Sequence, residues 1–234
     1  MEETAKKVMR LKKHAVILML CLCLFGMRAS AEPLANGESQ HVGSNIDDVL
    51  GRLEETMSYI QTLQTGFVQE KKLAVFDQTL VLEGTIFLQK PAHFAWHVKK
   101  PMRYSLVMKE NTVRQWDEDT QQVQQMSLSK NPAFQTVIEQ MRQWFSGTYT
   151  SLLAEYDIKL LKQRPVSLRF VPRKTTVASN VINNVTVVFR DDERYIHQIC
   201  IEEKSGDSTF LTFVDTLLNI PVGAEAWEVK PRVQ

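Results

Sequence analysis

Cysteine is scarce in this sequence, since the 234 residues contain three. Two of them, Cys21 and Cys23, lie in an apolar stretch near the N-terminus, which leaves Cys200 alone in the rest of the chain. Beyond that stretch, a single cysteine cannot form an intramolecular disulfide. Apolar residues surround Cys200, and we interpret it as an inert thiol of the core rather than a nucleophile.

Catalytic motifs are missing as well. The sequence has no G-x-S-x-G, no H-E-x-x-H, no C-x-x-C and no glycine-rich phosphate loop. His93 and His97 would share one face of a strand, but no neighbouring carboxylate or cysteine completes a metal-ligand set, so we interpret them as solvated side chains. The acidic residues 191–193 lie between two arginines and are typical of a solvated hairpin tip. We therefore predict neither an enzyme nor a bound metal or cofactor.

An excess of positive charge is also lacking. Residues 1–31 carry six of the 28 basic residues and two of the 27 acidic ones, which leaves 22 basic against 25 acidic residues and a net charge of −3. A chain with that balance has no surplus cations to neutralise phosphate backbones, and we exclude nucleic acid as a partner.

The N-terminus has the three parts of a secretory signal peptide. Basic residues at positions 6–13 precede an apolar run at 15–27, and residues 29–31 form an A-x-A cleavage site. A membrane anchor is the alternative, but the run is shorter than the ~20 apolar residues that span a bilayer. Neither early cysteine follows a small residue, as lipidation would require. Residues 1–31 are therefore predicted to be removed on export to a bacterial periplasm.

The rest of the chain is predicted to be one domain at residues 45–234, preceded by a polar, flexible leader at 32–44. Apolar residues at three- and four-residue steps predict an amphipathic helix at 46–60, which Ser44 and Asp47 would cap. The same spacing predicts a helical insert at residues 131–147, with a short helical turn after it at 150–154.

Alternation of apolar and polar residues predicts short antiparallel strands joined by polar turns. Residues 173–184 are polar and too many for a tight turn, and we expect a mobile loop there. With the helices on one face, the strands predict a mainly β, α+β fold built on one strongly twisted antiparallel sheet. The predicted strands are a first one that begins after Gly66 and contains residues 67–69, followed by residues 80–89, 93–99, 104–108, 113–116, 123–128, 156–161, 166–171, 185–189, 195–201 and 209–214.

Large apolar side chains recur along these strands and along the insert. These side chains either pack against one another as an ordinary core or leave a pocket between the sheet and the helices. The periodicity of the sequence does not distinguish these two alternatives. Methionine and aromatic side chains suit a surface that repacks around a flexible ligand. The candidate positions are Phe94, Trp96, Leu106, Met108, Phe134, Ile138, Met141, Phe145, Leu168, Phe170 and Phe189.

Several short motifs occur in a fixed order along the chain. They are F-V-Q at 67–69, G-T-I-F-L-Q-K-P at 84–91, F-A-W at 94–96, then Pro101 and Trp116, and near the C-terminus G-D-S-T at 206–209 and N-I-P-V at 219–222. Their order resembles that of the LolA family, the outer-membrane lipoprotein carrier proteins. The resemblance covers residues 46–230. Each motif is weak alone, but the order together with the signal peptide is fairly specific.

This resemblance implies a LolA/LppX-like fold, an unclosed antiparallel half-barrel of about 11 strands with helices covering the concave face. It also implies a monomeric periplasmic carrier without enzymatic activity, whose hydrophobic cavity would be lined by the candidate positions above. The cargo would be an acylated lipoprotein or a glycolipid. An inner-membrane exporter of the ABC or RND type would supply it, and an outer-membrane acceptor would receive it.

One position departs from the family pattern. A basic residue, commonly arginine, precedes the proline and helps to latch the lid through hydrogen bonds to lid backbone, whereas this chain has Lys90. An ammonium lacks the planar fork of a guanidinium, so a multi-pronged latch would be weakened or replaced. An ordinary surface lysine is the alternative. Residues 164–188 also match the family poorly, which indicates a divergent member.

Two other functions stay open at the level of sequence. A regulatory sensor resembling RseB would share this fold but carry a second domain, for which the end of the chain at Gln234 leaves no room. A periplasmic lipid esterase would need an activated serine beside a histidine, and the sequence shows no such signature.

Overall fold

The computed structural model describes residues 46–75, 79–130, 143–145 and 147–230. The predicted signal peptide and leader lie outside the described residues, and so do the candidate residues Phe134, Ile138 and Met141. Within these ranges every helix is too short or too polar to cross a membrane.

A helix, α1 (Ile46–Ser58), precedes six strands, and five more strands follow after a gap. The order of the described elements agrees with the prediction, and the helical turn predicted at 150–154 is the 3₁₀ helix Thr150–Ala154. Most of the helical insert predicted at 131–147 lies outside the described residues. The strands are β1 (Thr62–Lys72), β2 (Thr79–Gln89), β3 (His93–Lys100), β4 (Tyr104–Lys109), β5 (Thr112–Asp117), β6 (Val123–Ser127), β7 (Tyr156–Gln163), β8 (Val166–Pro172), β9 (Ile182–Phe189), β10 (Ile196–Glu203) and β11 (Ser208–Leu218).

All eleven strands belong to one antiparallel sheet in the order β6-β5-β4-β3-β2-β1-β11-β10-β9-β8-β7. Every pair in this order except β1–β11 is also consecutive along the chain, so the sheet consists of two meanders joined at β1–β11. Phe67 pairs with Phe213 in that junction. Strands β6 and β7 form the two edges and do not pair with each other, so among the described strands the sheet stays unclosed, as predicted.

One face of the sheet, the inner face, packs against α1. Alternate residues of β1 are buried there, Leu63 and Phe67 among them. The helix contributes four side chains of its own, each at most 2% exposed: Val49, Leu50, Leu53 and Met57. Burying an apolar side chain of this size stabilises a fold by about 1.5–3 kcal/mol, so this interface is a main source of stability.

Asn219, directly after β11, fixes the junction between α1 and β1. Its Oδ1 accepts a hydrogen bond from the Gln61 N–H at 2.7 Å, and its Nδ2 donates to the Tyr59 carbonyl oxygen at 3.1 Å. Asn219 has a φ of +58°, a conformation that asparagine adopts more readily than most residues. The end of the sheet therefore positions the end of the helix.

The outer face carries a second, smaller apolar cluster that the C-terminal residues cover. Val229 is buried in it, and Trp227 of the 3₁₀ helix Ala224–Trp227 packs against it. Residues 224–230 thus form a C-terminal strap over the outer side of β3, β4 and β5. The other members are Ala95, Val107, Trp116 and the partly buried Phe87.

The interpretation of His93 and His97 as solvated side chains is wrong, because the C-terminal strap covers this part of β3. The His93 ring meets Trp227 edge-on, with ring centroids 5.4 Å apart. His97 Nε2 lies 2.8 Å from the Ala226 carbonyl oxygen. A strand face that reads as polar in sequence is therefore an interface in the fold.

The contacts of His97 define its protonation state. A carbonyl oxygen only accepts, so Nε2 carries a proton, and Nδ1 then accepts from Ser105 Oγ at 2.9 Å in the neutral ring. Burial lowers the pKa of His97 below its usual value, and the nearby Lys99 lowers it further. The fold therefore stabilises the neutral imidazole.

The expected mobile loop at residues 173–184 is instead a structured segment. It contains the 3₁₀ helix Val177–Asn180 and the first residues of β9. Ala178 and Ile182 are buried, and the Lys204 N–H donates to the Val181 carbonyl oxygen at 2.8 Å. Two apolar side chains within a polar stretch suffice to pack it onto the core.

Gly84 on β2 lies where a side chain would collide with its neighbours. A Cβ there would meet the His97 carbonyl oxygen and lie 2.6 Å from Phe67 Cε1. We expect Gly84→Ala to lower the free energy of unfolding by about 1–3 kcal/mol, as overpacked cores do. Urea denaturation measures the effect. The control is Gly51→Ala in α1, where a Cβ meets nothing within 4 Å and a gain of ~0.5–1 kcal/mol is expected. Equal stability of the Gly84 variant and the wild type would contradict this account.

Acid should loosen the C-terminal strap. Because the attached state has the lower His97 pKa, the detached state binds more protons once the pH falls to about 6.5, the unperturbed pKa of histidine. Attachment should therefore weaken from that pH downwards, until His97 is protonated in the attached state too. Hydrogen-exchange protection of residues 224–230, compared at pH 7.5 and 5.5, measures this. His97→Gln should remove the pH dependence and His197→Gln, at an exposed position, should not; a dependence unchanged in His97→Gln would refute the assignment.

Candidate functional site

The chain between β6 and β7 has to pass from one edge of the sheet to the other. Its described part, residues 143–145 and 147–155, lies over the inner face and is called the cover segment. Trp144 and Phe145 are buried there, and Leu152 is 1% exposed. The topology therefore places a lid-like element opposite the curved sheet, as the resemblance implied.

A cleft of about 480 Å³ lies between α1, the β2–β3 turn and the cover segment. Its size falls within the ~300–1,000 Å³ range of pockets that hold small organic ligands. The polar residues of its lining are Glu54, Ser58, Gln89, Lys90, His93 and Thr148. The other lining residues are Leu88, Pro91, Ala92, Phe94, Met108, Phe145 and Gly147.

Three of the predicted cavity residues, Phe94, Met108 and Phe145, line this cleft. Five others are described but lie in the main core away from the cleft lining, with Leu168 and Phe170 wholly buried: Trp96, Leu106, Leu168, Phe170 and Phe189. The remaining three lie outside the described residues.

Aromatic rings fill the interior behind the cleft. Phe145 reaches from the cover segment to Phe94, with ring centroids 5.8 Å apart, and to Phe213, at 6.0 Å. Trp96 lies 4.9 Å from Phe67 by the same measure. In this conformation the protein's own rings occupy the space that the family resemblance implied for a ligand, so a ligand would have to displace them.

Lys90 fastens the β2–β3 turn to the end of α1. Its Nζ donates a hydrogen bond to the Met57 carbonyl oxygen at 3.1 Å, and its backbone N–H donates to the Gln61 carbonyl oxygen at 2.9 Å. Burial lowers the pKa of Lys90. A cation suits this place, because the last turn of a helix carries partial negative charge. The predicted latch residue thus contacts helix backbone, although that of α1.

Met57 also holds the cover segment. Tyr149 Oη lies 3.2 Å from Met57 Sδ and 3.2 Å from the Trp144 carbonyl oxygen, and its single proton serves one of them at a time. Gly147 has a φ of +83°, and a Cβ there would lie 2.6 Å from Met57 Cβ. The close approach of Gly147 therefore lets the cover segment seat directly on Met57.

Glu54, one turn earlier in α1, adds a third fastening. Its Oε1 accepts hydrogen bonds from the Thr150 N–H at 2.6 Å and from Thr150 Oγ1 at 2.9 Å. Sequence reasoning missed both Glu54 and Tyr149. These residues belong to no motif, and their partners lie about a hundred positions away, so no local pattern could reveal them.

The remaining charged and reactive groups lie elsewhere. Lys71 and Glu203 form a buried ion pair at 2.7 Å on the inner face, near the other end of β1. The structure does place a serine beside a histidine, Ser105 and His97, but Ser105 is 4% exposed and lies on the outer face under the C-terminal strap. Cys200 is half-buried, and burial raises the pKa of its thiol. No cluster of potential metal ligands occurs among the described residues.

The fold and the chain were compared with known proteins. A search of curated protein sequences found no match. Among solved structures, MucB of Pseudomonas aeruginosa is 15% identical with a TM-score of 0.50, and the match covers 79% of this chain but 63% of MucB. The LolA superfamily protein NE2245 from Nitrosomonas europaea gives 12% identity, a TM-score of 0.41 and coverage of 75% and 94%, respectively.

The Mycobacterium tuberculosis lipoprotein LppX is 10% identical, with a TM-score of 0.43 and coverage of 75% of this chain and 96% of LppX. At 15% identity the match to MucB supports the fold alone. The family model described as "Outer membrane lipoprotein carrier protein LolA" matches residues 58–230, from the end of α1 to the C-terminal strap. The open eleven-stranded sheet and this match together show that the chain belongs to the LolA family.

Proposed function

We propose that this protein is a periplasmic carrier that shelters the acyl chains of a lipoprotein, or of a related lipid, between its sheet and its cover segment. The cleft is the main observation in support of this proposal. Its apolar wall leads into an aromatic interior and consists of Leu88, Phe94, Met108 and Phe145. Each methylene removed from water contributes about 0.8 kcal/mol, so a chain of roughly a dozen methylenes gains on the order of 10 kcal/mol by entering. No catalytic group is needed for that task.

The fastenings at the end of α1 support reversible opening. Acyl chains that replace Phe145 and its neighbours make new apolar contacts in exchange for those lost, so the net cost of opening lies mainly in the hydrogen bonds of Lys90, Tyr149 and Glu54. Hydrogen bonds contribute about 0.5–1.5 kcal/mol each, and up to ~3 kcal/mol where a charge is involved. An opening cost of a few kcal/mol keeps the empty protein closed and still permits loading.

Transport needs a donor and an acceptor besides the carrier. We propose that an inner-membrane exporter supplies the cargo and that an outer-membrane acceptor receives it. The family match supports this direction, since its description names an outer membrane lipoprotein carrier.

A lipid-sensing regulatory module is the second candidate, because MucB shares the fold and has been crystallised in complex with MucA. A sensor would bind the same acyl chains in the same cleft. The two functions differ in the step after binding: a carrier passes its cargo to acceptor membranes, whereas a sensor changes its grip on a partner protein.

Cargo should accompany the protein. Native mass spectrometry of the chain purified from periplasm should show acylated species, and Phe94→Asp should reduce them by more than about tenfold, because a charge buried in the cleft wall costs several kcal/mol. Val81→Asp, on an exposed position of β2, is the matched control and should retain cargo. Circular dichroism establishes that both variants fold. A wild-type protein that stays empty even after incubation with a triacylated lipopeptide would refute the carrier function.

Lys90 should govern the rate of cargo release. Lys90→Ala removes the bond to Met57 and should speed the transfer of a fluorescent lipopeptide to acceptor vesicles by about three- to tenfold, whereas Lys90→Arg, with its fork of donors, should slow it. Lys109→Ala, at an exposed end of β4, serves as the control. Three indistinguishable rates would make Lys90 an ordinary surface lysine.

A further inference from the structure

Two buried hydrogen-bond donors of the interior have no partner among the residues that the structure describes. Trp96 Nε1 and Tyr195 Oη belong to side chains that are 5% and 1% exposed, and neither atom has a hydrogen-bond partner in the described parts of the chain. An indole N–H can only donate, and a buried phenol also needs a partner. Native proteins rarely leave such groups unpaired, because their water is lost without compensation. The two donors therefore indicate a missing acceptor.

Trp96 and Tyr195 each pack on an aromatic ring that contacts Phe145. Trp96 packs on Phe94, with ring centroids 6.3 Å apart, and Tyr195 packs on Phe213, at 6.0 Å. Phe145 lies between these two walls, at 5.8 Å from Phe94 and 6.0 Å from Phe213. Phe145 also lines the cleft, so a ligand that enters there and displaces this ring arrives between Phe94 and Phe213, the rings on which Trp96 and Tyr195 pack.

We propose that Trp96 Nε1 and Tyr195 Oη bind the acyl carbonyl oxygens of the cargo, so that ester or amide linkages enter the interior together with the hydrocarbon tails. This inference rests on the proposed carrier function and specifies its ligand as an acyl lipid rather than any hydrocarbon chain. A carbonyl oxygen accepts hydrogen bonds, whereas a saturated tail offers no acceptor. Bound cargo would pair the two donors that no described residue pairs.

The surroundings of Tyr195 keep it a donor. Burial raises its pKa well above the usual value, so the hydroxyl retains its proton. Tyr149 offers a contrast in the same interior, since its hydroxyl already has Met57 Sδ and the Trp144 carbonyl oxygen within reach. The two tyrosines thus form a matched pair, one partnered and one not.

Removal of the Tyr195 hydroxyl should affect stability and binding in opposite directions. Tyr195→Phe deletes an unpaired polar group, so its urea midpoint should equal or exceed that of the wild type. Its affinity for an ester-linked dipalmitoylglycerol probe should fall by about five- to tenfold, while its affinity for the ether-linked dihexadecylglycerol analogue, which lacks the carbonyls, should stay unchanged. Tyr149→Phe should show the reverse, with lower stability and an unchanged ester-to-ether preference.

Trp96→Phe and Trp116→Phe make the second comparison. The Trp116 Nε1 is likewise buried and without a partner among the described residues, but it lies in the outer cluster. Trp96→Phe should reduce the ester-to-ether preference and Trp116→Phe should not. Because both replacements remove one indole, general effects of lost volume appear equally in the control.

The possible results separate this inference from the carrier function. If the wild type binds neither lipid, the carrier function falls and the inference falls with it. If the wild type binds ester and ether lipids equally, or if Tyr195→Phe and Trp96→Phe keep the wild-type preference, the carrier function stands and the inference is overturned. A preference for the ester that decreases in these two variants, and in neither control, supports it.

Discussion

The pairing of β1 with β11 is the constraint on which the structure depends. Every other strand pair joins neighbours along the chain, whereas this one brings together residues about 150 positions apart, such as Leu63 and Leu218. It joins two meanders into one sheet and aligns Phe67 with Phe213, two rings of the interior. Loop closure makes such a pairing entropically costly, so the buried side chains along β1 have to stabilise it. Without this junction the inner face would be two shallow half-surfaces.

The junction also determines where the cover segment lies. With β1 and β11 at the centre, the first meander ends at β6 on one edge and the second begins at β7 on the other, so the connection has to pass over the open side. Residues at the end of α1 then hold the connection through Met57 and Glu54, and Lys90 joins the β2–β3 turn to the same end. The rim of the cleft is therefore controlled by one helix end, while aromatic rings fill the interior behind it.

The sheet could be predicted well from the sequence because apolar and polar residues alternate within each strand. This alternation puts Phe94 and Trp96 on the inward face of their strand, whichever strands lie beside it. The family resemblance singled out Lys90, which does contact helix backbone. Contacts between distant residues without periodicity were not predictable: Tyr149 on Met57, Thr150 on Glu54, and the strap that partly buries His97, a polar strand residue. The alternation of apolar and polar residues assigns a side chain to one face of the sheet, but it does not predict which distant segment covers that face.

The cover segment is joined through the chain to both edge strands, so it stays close to the sheet even when it is displaced from the inner face. The return of the cover segment to the sheet is an intramolecular event. Its rate therefore depends on the effective concentration that the connecting chain sets, and not on diffusion between molecules. If the protein delivers cargo as proposed, the same chain shields the apolar wall again after release, independently of how dilute the protein is. Such tethering limits the time during which two emptied molecules could stick to each other, a hazard for any protein that exposes a wide apolar surface.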